Sequence, residues 1–291
     1  MQSGLAEFIQ AMPKVELHVH LQGATQPGTL LMLAKRNKVT LPYDTIEGIR
    51  EWYNFRDFRQ FIDIYVEICR CLQNADDLEL MAREFLKNQA AQYIVYSEVT
   101  YTPALRDHYN GFTFDQQLAA LNRANDWARA ELGTSMGIVI DIPREVTADE
   151  GLLYADWAIS GYGQGVVAFG IGGYEPGNPP ERYAKAFERV HAAGMPCVPH
   201  AGEKAGPESI WSALKVCHAV RIGHGVRCME DPVLVEHLRE RQIPLEVSPT
   251  SNICLGVFER FENHALPKML DAGLYVTLNS DDPPMFNTTL T

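Results

Sequence analysis

The chain has 291 residues, a formal net charge of −12 and a pI near 5.2. Because nucleic acids and anionic membranes are bound through clustered lysine and arginine, this acidic balance without any basic run excludes both as expected partners. Hydrophobic residues make up 46% of the chain and charged residues 21%, an ordinary balance for a globular protein with a large core. No stretch of about 18 apolar residues occurs, so we expect no membrane span.

The N-terminus and the cysteines favour a cytoplasmic protein. Residues 1–7 contain neither a basic segment nor an apolar one, so we expect no signal peptide. Without a secretory signal, cysteines are expected to remain reduced. The six cysteines form no CxxC pair and have no framework spacing; they are Cys69, Cys71, Cys197, Cys217, Cys228 and Cys254.

Strand-like and helix-like segments alternate along nearly the whole chain. Eight short apolar runs predict strands at 15–21, 94–102, 136–142, 166–173, 196–202, 220–225, 245–249 and 275–280. Segments with apolar residues at helical spacing predict helices at 29–36, 58–72, 75–92, 117–132, 149–160, 181–193, 209–218, 232–241 and 266–272.

This alternation predicts an α/β fold built on a parallel sheet. Eight strands favour a closed (β/α)8 TIM barrel over an open doubly wound sheet, and no linker divides residues 1–291, so we expect a single domain. Extra helices lie between strands 1 and 2. Only nine residues follow Asp282, too few for a helix after the eighth strand, so the last helix of the barrel is expected to be absent.

Polar residues that suit a metal stand at the ends of several predicted strands. His18 and His20 are two apart on the first strand and therefore face the same side. His200 ends the fifth strand, and Asp281 and Asp282 end the eighth. Because the carboxyl ends of barrel strands meet, these side chains are predicted to share one pocket. Histidine and carboxylate ligands can hold a divalent metal that activates water, which predicts a hydrolase.

Each of these residues also has a simpler interpretation. Buried histidines are often core residues bonded to backbone, and an aspartate pair before Pro283 is common in turns. Glu203, three residues after His200, suits a proton carrier near neutral pH, but a solvated loop glutamate has the same pattern. His224 lies between two glycines and suits either a metal ligand or an electrostatic partner of the attacking water.

Five motifs in chain order resemble the adenosine deaminase family of the metal-dependent amidohydrolase superfamily. They are PKVELHVHL at 13–21, HAGE at 200–203, RIGHG at 221–225, SPTSN at 248–252 and LNSDDP at 278–283. The resemblance spans nearly the whole chain. It implies a (β/α)8 barrel with one zinc ion per chain. It also implies zinc-dependent hydrolytic removal of the 6-amino group from adenosine or a related 6-aminopurine nucleoside, a small-molecule partner.

The resemblance also assigns roles to particular residues. The implied zinc ligands are His18, His20, His200 and Asp281. Glu203 would protonate the purine N1 and shuttle protons, and His224 would orient the water that the zinc activates. Asp282 would hold the same water and bond the purine N7, while the backbone N–H of Gly173 would bond N3.

Departures from the family pattern leave alternatives open. Gln22 stands where the family often carries an acid near the ribose, and a neutral amide would tolerate a 5′ substituent better. With this trait the chain resembles aminodeoxyfutalosine deaminases of menaquinone synthesis. A binuclear amidohydrolase would need a lysine at the end of strand 4, which instead reads Gly-Gly-Tyr at 172–174. A non-catalytic nucleoside-binding relative is a further alternative, although every implied site position is filled. Iron, cobalt or manganese would also suit the ligand set.

Overall fold

The computed structural model describes residues 2–103 and 112–291. The chain divides into two compact units. The first unit contains the described residues of 1–99, 103–137 and 280–291, and the second contains 100–102 and 138–279. The prediction that 1–291 form a single domain stays a prediction.

All eight predicted strands are present. They are β1 Lys14–His20, β2 Ile94–Tyr101, β3 Ser135–Pro143, β4 Val166–Gly172, β5 His200–Ala201, β6 Ile222–His224, β7 Leu245–Val247 and β8 Val276–Leu278. The last four are shorter than predicted, because only two or three residues of each run form a regular ladder. In the predicted strand 196–202 only His200–Ala201 forms a strand, and Cys197 before it makes isolated bridges to Phe169 and Ala219.

Twelve α-helices occur within the described residues. They are α1 Gln2–Ala11, α2 Pro27–Asn37, α3 Ile46–Tyr53, α4 Phe58–Arg70, α5 Ala75–Ala91, α6 Phe114–Glu131, α7 Ala148–Gly161, α8 Ala184–Ala192, α9 Pro207–Val216, α10 Pro232–Arg241, α11 Pro249–Cys254 and α12 Leu266–Asp271. The extra helices between β1 and β2 are therefore confirmed. Helices α1, α3 and α11 were not predicted, and the predicted helix 181–193 is divided into a 3-10 turn, Pro180–Tyr183, followed by α8.

Local sequence fixes where several helices begin. Thr113 and Thr147 each accept a hydrogen bond from the backbone N–H three residues on, and Gln116 and Glu150 bond back to the capping residue's own N–H. These reciprocal capping boxes satisfy backbone donors that the first helical turn leaves unpaired. The α10 helix begins after Asp231, whose carboxylate accepts from two backbone N–H groups.

In the second unit the strands from β3 to β8 follow one another in parallel. β3 pairs with β4, and β5, β6, β7 and β8 pair in that order, while the bridges of Cys197 continue the run between β4 and β6. Near-continuous apolar strands are typical of parallel sheets buried on both faces. The core of this unit is formed by fully buried side chains from β6, β7 and the surrounding helices: Ile222, Leu245, Val247, Leu234, Leu238 and Met269.

In the first unit the end of the chain lies beside β1. Val19 pairs in parallel with Asp281, the N–H of Asp281 donates to the carbonyl of His18 (3.1 Å), and the N–H of His20 donates to the carbonyl of Asp281 (2.8 Å). β1 has β2 as its neighbour in the sheet. The core of this unit comes from α2, α4 and α5, with fully buried Leu30, Leu33, Ile64, Ile68, Leu78 and Leu86. No helix within 2–103 or 112–291 combines the length and apolar character needed to span a membrane.

Candidate metal centre and active site

Two histidines and an aspartate form a cluster in the first unit, with His18 and Asp281 buried and His20 half-buried. The Nε2 atoms of His18 and His20 lie 3.6 and 3.3 Å from the same oxygen, Oδ1 of Asp281. The two rings stand edge to face with their centroids 5.5 Å apart. Ligand atoms of these three residues all lie within 4.8 Å of one another. Two imidazole nitrogens and a carboxylate oxygen at such distances fit a divalent metal, and zinc is commonly held by this donor set.

Burial keeps this cluster suited to a cation. It lowers the pKa of His20 to about 4, although the charge of Asp281 acts in the opposite direction. The imidazole of His20 is therefore neutral at pH 7 and offers a nitrogen lone pair, as metal binding requires. Asp281 is 3% exposed, so its carboxylate has little water to stabilise its charge.

The backbone at Asp281 is strained and is held by its neighbours. Asp281 has a φ of +66°, a region that residues other than glycine seldom occupy. The preceding residue, Ser280, donates both its N–H (2.8 Å) and its hydroxyl (2.5 Å) to Oε1 of Glu16 on β1. The other oxygen of Glu16 accepts from Nε2 of Gln89 (2.6 Å). The buried carboxylate of Glu16 therefore fixes the segment that carries Asp281, and burial raises the pKa of Glu16.

Asp282 and Gln22 are also enclosed within the first unit. A Cβ atom on Gly23 would lie 1.5 Å from Oδ1 of Asp282, so only glycine permits this approach. Gln22 is fully buried, and the hydroxyl of Tyr65 donates to its Oε1 (3.1 Å). The predicted contacts of Gln22 and Asp282 with a substrate stay predictions.

A second group of predicted site residues meets in the second unit. His200 on β5 and His224 on β6 have ring centroids 5.3 Å apart, and Ala201 pairs with His224 in the parallel ladder. The Nε2 atom of His224 lies 3.9 Å from Oε1 of Glu203. Glu203 is 8% exposed and His224 is 1% exposed. The imidazole and the carboxyl group are therefore placed to act on a common partner away from bulk water.

A chain of hydrogen bonds sets the tautomer of His224. The N–H of Leu266 donates to Nδ1 of His264 (3.0 Å), so the neutral His264 ring carries its proton on Nε2. Burial lowers the pKa of His264 and favours this neutral form. Its Nε2 contacts Oδ1 of Asn252 (3.1 Å), which leaves the amide nitrogen of Asn252 to donate to Nδ1 of His224 (3.4 Å). In its neutral form, His224 therefore carries its proton on Nε2, towards Glu203.

Arg144 binds the backbone of His200, and Gly173 has a backbone conformation that favours glycine. Arg144 is 1% exposed and donates from Nη2 to the carbonyl of His200 (2.8 Å) and from Nη1 to the carbonyl of Asn178 (2.6 Å). Gly173 has a φ of +93°, and a Cβ there would meet the carboxylate of Glu145 at 3.0 Å. Both steric and conformational reasons therefore favour glycine at 173.

The structure thus collects the predicted site residues into one group in each unit. His18, His20, Gln22, Asp281 and Asp282 belong to the first. His200, Glu203, His224 and Gly173 belong to the second. That all of them serve one active site stays a prediction.

Sequence reasoning assigned no role to Arg144, Asn252 or His264. Asn252 lies within the SPTSN motif, which was a signal that could have pointed to it. Arg144 and His264 have no such signal, because their importance comes only from contacts made in the folded chain.

Comparisons with known proteins extend these observations. A family model described as adenosine deaminase matches residues 13–291. An adenine deaminase from Chlorobium phaeobacteroides (strain BS1) is 39% identical over 280 residues, which cover 96% of this chain and 83% of that protein. An aminodeoxyfutalosine deaminase from Streptomyces avermitilis is also 39% identical, with coverage of 98% of this chain and 80% of that protein.

Solved structures agree with the fold. The crystal structure of adenine deaminase from Arthrobacter aurescens matches with a TM-score of 0.90 at 34% identity, covering 96% of this chain and 85% of that chain. An amidohydrolase from Burkholderia ambifaria, solved with bound zinc, matches with a TM-score of 0.88 at 28% identity, covering 98% and 79%.

Fold and site together define the class of protein, a hydrolase with the α/β TIM-barrel fold and residues suited to a divalent metal; the predicted fold class is confirmed. The chain belongs to the adenosine deaminase family, and it is a hydrolytic deaminase, as the sequence motifs implied. This finding favours an enzyme over the non-catalytic alternative.

Proposed function

We propose that this protein hydrolyses the 6-amino group of a purine and releases ammonia, with one zinc ion held by His18, His20, His200 and Asp281. The observation that carries the proposal is the cluster of His18, His20 and Asp281, because three side chains that can bind a metal converge there. Relatives that are deaminases of adenine and of aminodeoxyfutalosine support a 6-aminopurine as the substrate.

The metal would supply one part of the chemistry, since zinc lowers the pKa of a coordinated water to about 7. The remaining parts fall to side chains. Glu203, as a carboxylic acid, would donate a proton to the purine N1, which withdraws electrons from C6 and prepares it for attack. Oxygen from water then bonds to C6 as Asp282 takes one of its protons. The Glu203 carboxylate, which gave its proton to N1, takes the second proton from that oxygen and passes it to the amino group, so that the C6–N bond breaks and ammonia leaves. Return of the proton from Asp282 to Glu203 through solvent restores both side chains.

His224 and Asp282 would direct the attack. Because Asn252 holds Nδ1 of His224, its Nε2–H is the group available to donate to the attacking oxygen. Asp282 would accept a proton from the water and hydrogen-bond the purine N7, and the backbone N–H of Gly173 would bond N3. Near-complete burial of Glu203, His224 and Asp282 strengthens these interactions, because little water competes for the same groups.

The group attached to N9 of the purine is the finer question. Adenosine or a related nucleoside is the substrate that the sequence motifs predict. The neutral amide of Gln22, held by Tyr65, would not repel an acidic 5′ substituent near the ribose and so favours a 5′-substituted nucleoside. The adenine deaminase relatives make the free base a third candidate.

A deamination assay tests the proposal. The zinc-loaded protein would be mixed with adenine, adenosine, 2′-deoxyadenosine, 5′-methylthioadenosine and aminodeoxyfutalosine, and the absorbance change from the 6-amino to the 6-oxo purine would be followed. A Glu203→Gln variant purified in the same way controls for contaminating deaminases. The proposal is supported if the wild-type protein turns over at least one substrate that the control does not. The rank order of the rates then identifies the preferred group on N9. No turnover across the whole panel would contradict it.

A further inference from the structure

The buried carboxylate of Glu175 accepts hydrogen bonds from the backbone of the loop that carries Glu203. Glu175 follows Gly173 by two residues in the segment after β4 and is 5% exposed. The loop 202–206 connects the end of β5 to the start of α9 and has no ladder partner of its own for its N–H groups. Both segments belong to the second unit.

Four consecutive backbone N–H groups of this loop donate to Glu175. Gly202 donates to Oε1 (2.6 Å), while Glu203 (3.1 Å), Lys204 (2.9 Å) and Ala205 (2.9 Å) donate to Oε2. The hydroxyl of Ser209, in the first turn of α9, adds a fifth bond to Oε1. A carboxylate has about four lone-pair positions, so this one is fully used by its donors.

The carbonyl groups of the same loop are bound elsewhere. The N–H of Arg227 donates to the carbonyl of Gly202 (3.0 Å), and its Nη1 donates to the carbonyl of Lys204 (2.7 Å). Gly202 itself has a φ of +67°, and a Cβ there would lie 2.4 Å from Ile210. Glu175 therefore binds N–H groups of the loop, and Arg227 binds two of its carbonyl groups.

We propose that Glu175 is a positioning residue for the reaction: it fixes the backbone of 202–205 and so sets the orientation of the Glu203 side chain. The inference rests on the proposed function for the role of Glu203. Because all its oxygens accept hydrogen bonds from the loop, Glu175 is not itself a proton carrier. It also links the segment that carries Gly173 to the loop that carries Glu203.

Loss of one oxygen of Glu175 is expected to displace the loop that carries Glu203. Replacing one oxygen of Glu175 by an amide nitrogen leaves either two or three of the five donors facing another donor. A buried donor without an acceptor is unfavourable, so the loop would move to reach other partners. Displacement of a reacting group by about 1 Å can lower a rate by about 10²-fold.

The test compares Glu175→Gln with the matched control Glu181→Gln in the metal-loaded full chain. Glu181 is exposed and accepts a hydrogen bond from Ser212 on the same helix α9, but no N–H of the loop reaches it. Metal content, kcat, KM and amide hydrogen exchange of peptides spanning 202–205 would be measured. For Glu175→Gln we expect unchanged metal content, a kcat lower by about 10–100-fold with little change in KM, and faster exchange in 202–205. For Glu181→Gln we expect wild-type values.

Two outcomes would overturn the inference. Exchange in 202–205 at the wild-type rate means that Glu175 does not hold the loop. Faster exchange with an unchanged kcat per metal-loaded chain means that the contact is structural only. If Glu175→Gln does not fold, Glu175→Asp decides by the same two measurements, since it keeps the charge but shortens the reach. An inactive wild-type protein would count against the proposed function. Hydrogen exchange would still test whether Glu175 fixes the backbone of 202–205, because that measurement does not depend on activity.

Discussion

The two groups of site residues are placed by different means. In the first unit, His18 and His20 extend from a regular strand, and Asp281 is brought to them by a parallel bridge and by Glu16, which contacts Ser280 264 residues away in sequence. In the second unit, Glu203 lies on a loop and His224 depends on Asn252 and His264. Under the proposed roles, metal binding would rely mainly on strand geometry and proton transfer on buried hydrogen bonds, so variants in the two groups should fail differently.

The largest effect is expected from Asp281→Ala in the first group. Removing the oxygen that both imidazoles approach leaves the metal one ligand short, so we expect most of the metal to be lost. Turnover should then fall by more than about 10⁴-fold, because the acidification of water is lost with the metal. Metal analysis of the purified variant together with the deamination assay would check this. The exposed Asp271→Ala should remain metal-loaded and active; an Asp281→Ala protein with full metal content would contradict the role of Asp281 as a ligand.

Glu203→Gln in the second group should separate metal binding from turnover. The amide keeps the size of the side chain but cannot donate an acidic proton to the purine N1. We expect unchanged metal content, nearly unchanged binding of substrate, and a kcat lower by about 10²–10⁴-fold. Steady-state kinetics and a binding titration on the same preparation would measure both. A wild-type kcat would remove Glu203 from the mechanism and, with it, the contrast between the groups.

The sequence predicted the first group more fully than the second. His18 and His20 follow from the two-residue period of a strand, and all eight strands could be read from short apolar runs. Helix α11 was missed because it has only six residues, fewer than two turns, while α3 was missed although Ile46, Ile49 and Tyr53 stand at helical spacing. Glu175 and His264 could not be recognised, because hydrogen-bond partners 27 or 12 residues away leave no periodic signal.

A smaller effect is expected from Asn252→Leu, which removes the group that sets the His224 tautomer. Without the amide donor, neutral His224 can also adopt the tautomer with its proton on Nδ1, so that fewer molecules present Nε2–H to the attacking oxygen. We expect kcat to fall by about 10–100-fold with unchanged metal content, in the range of other outer contacts of metal sites. The exposed Asn263→Leu, on the following 3-10 turn, is the control. Nitrogen-15 spectra of the histidine rings would show the tautomer directly, and an unchanged His224 spectrum would contradict the assignment.

The smallest effect on turnover is expected from Glu16→Gln, and it sharpens the comparison because it should alter metal affinity alone. The amide nitrogen would face either Ser280 or Gln89, both of which donate to Glu16. The strained segment at Asp281 would then be held less firmly, and we expect metal affinity to fall by about 10-fold or more. With saturating zinc, kcat should stay within about 3-fold of wild type, because Glu16 contacts Ser280 and Gln89 and not a group proposed to transfer protons. Competition with a chelator measures the affinity, and the exposed Glu47→Gln serves as the control. A reduced kcat at full zinc occupancy would show that Glu16 also affects proton transfer, and that the two groups are not separable.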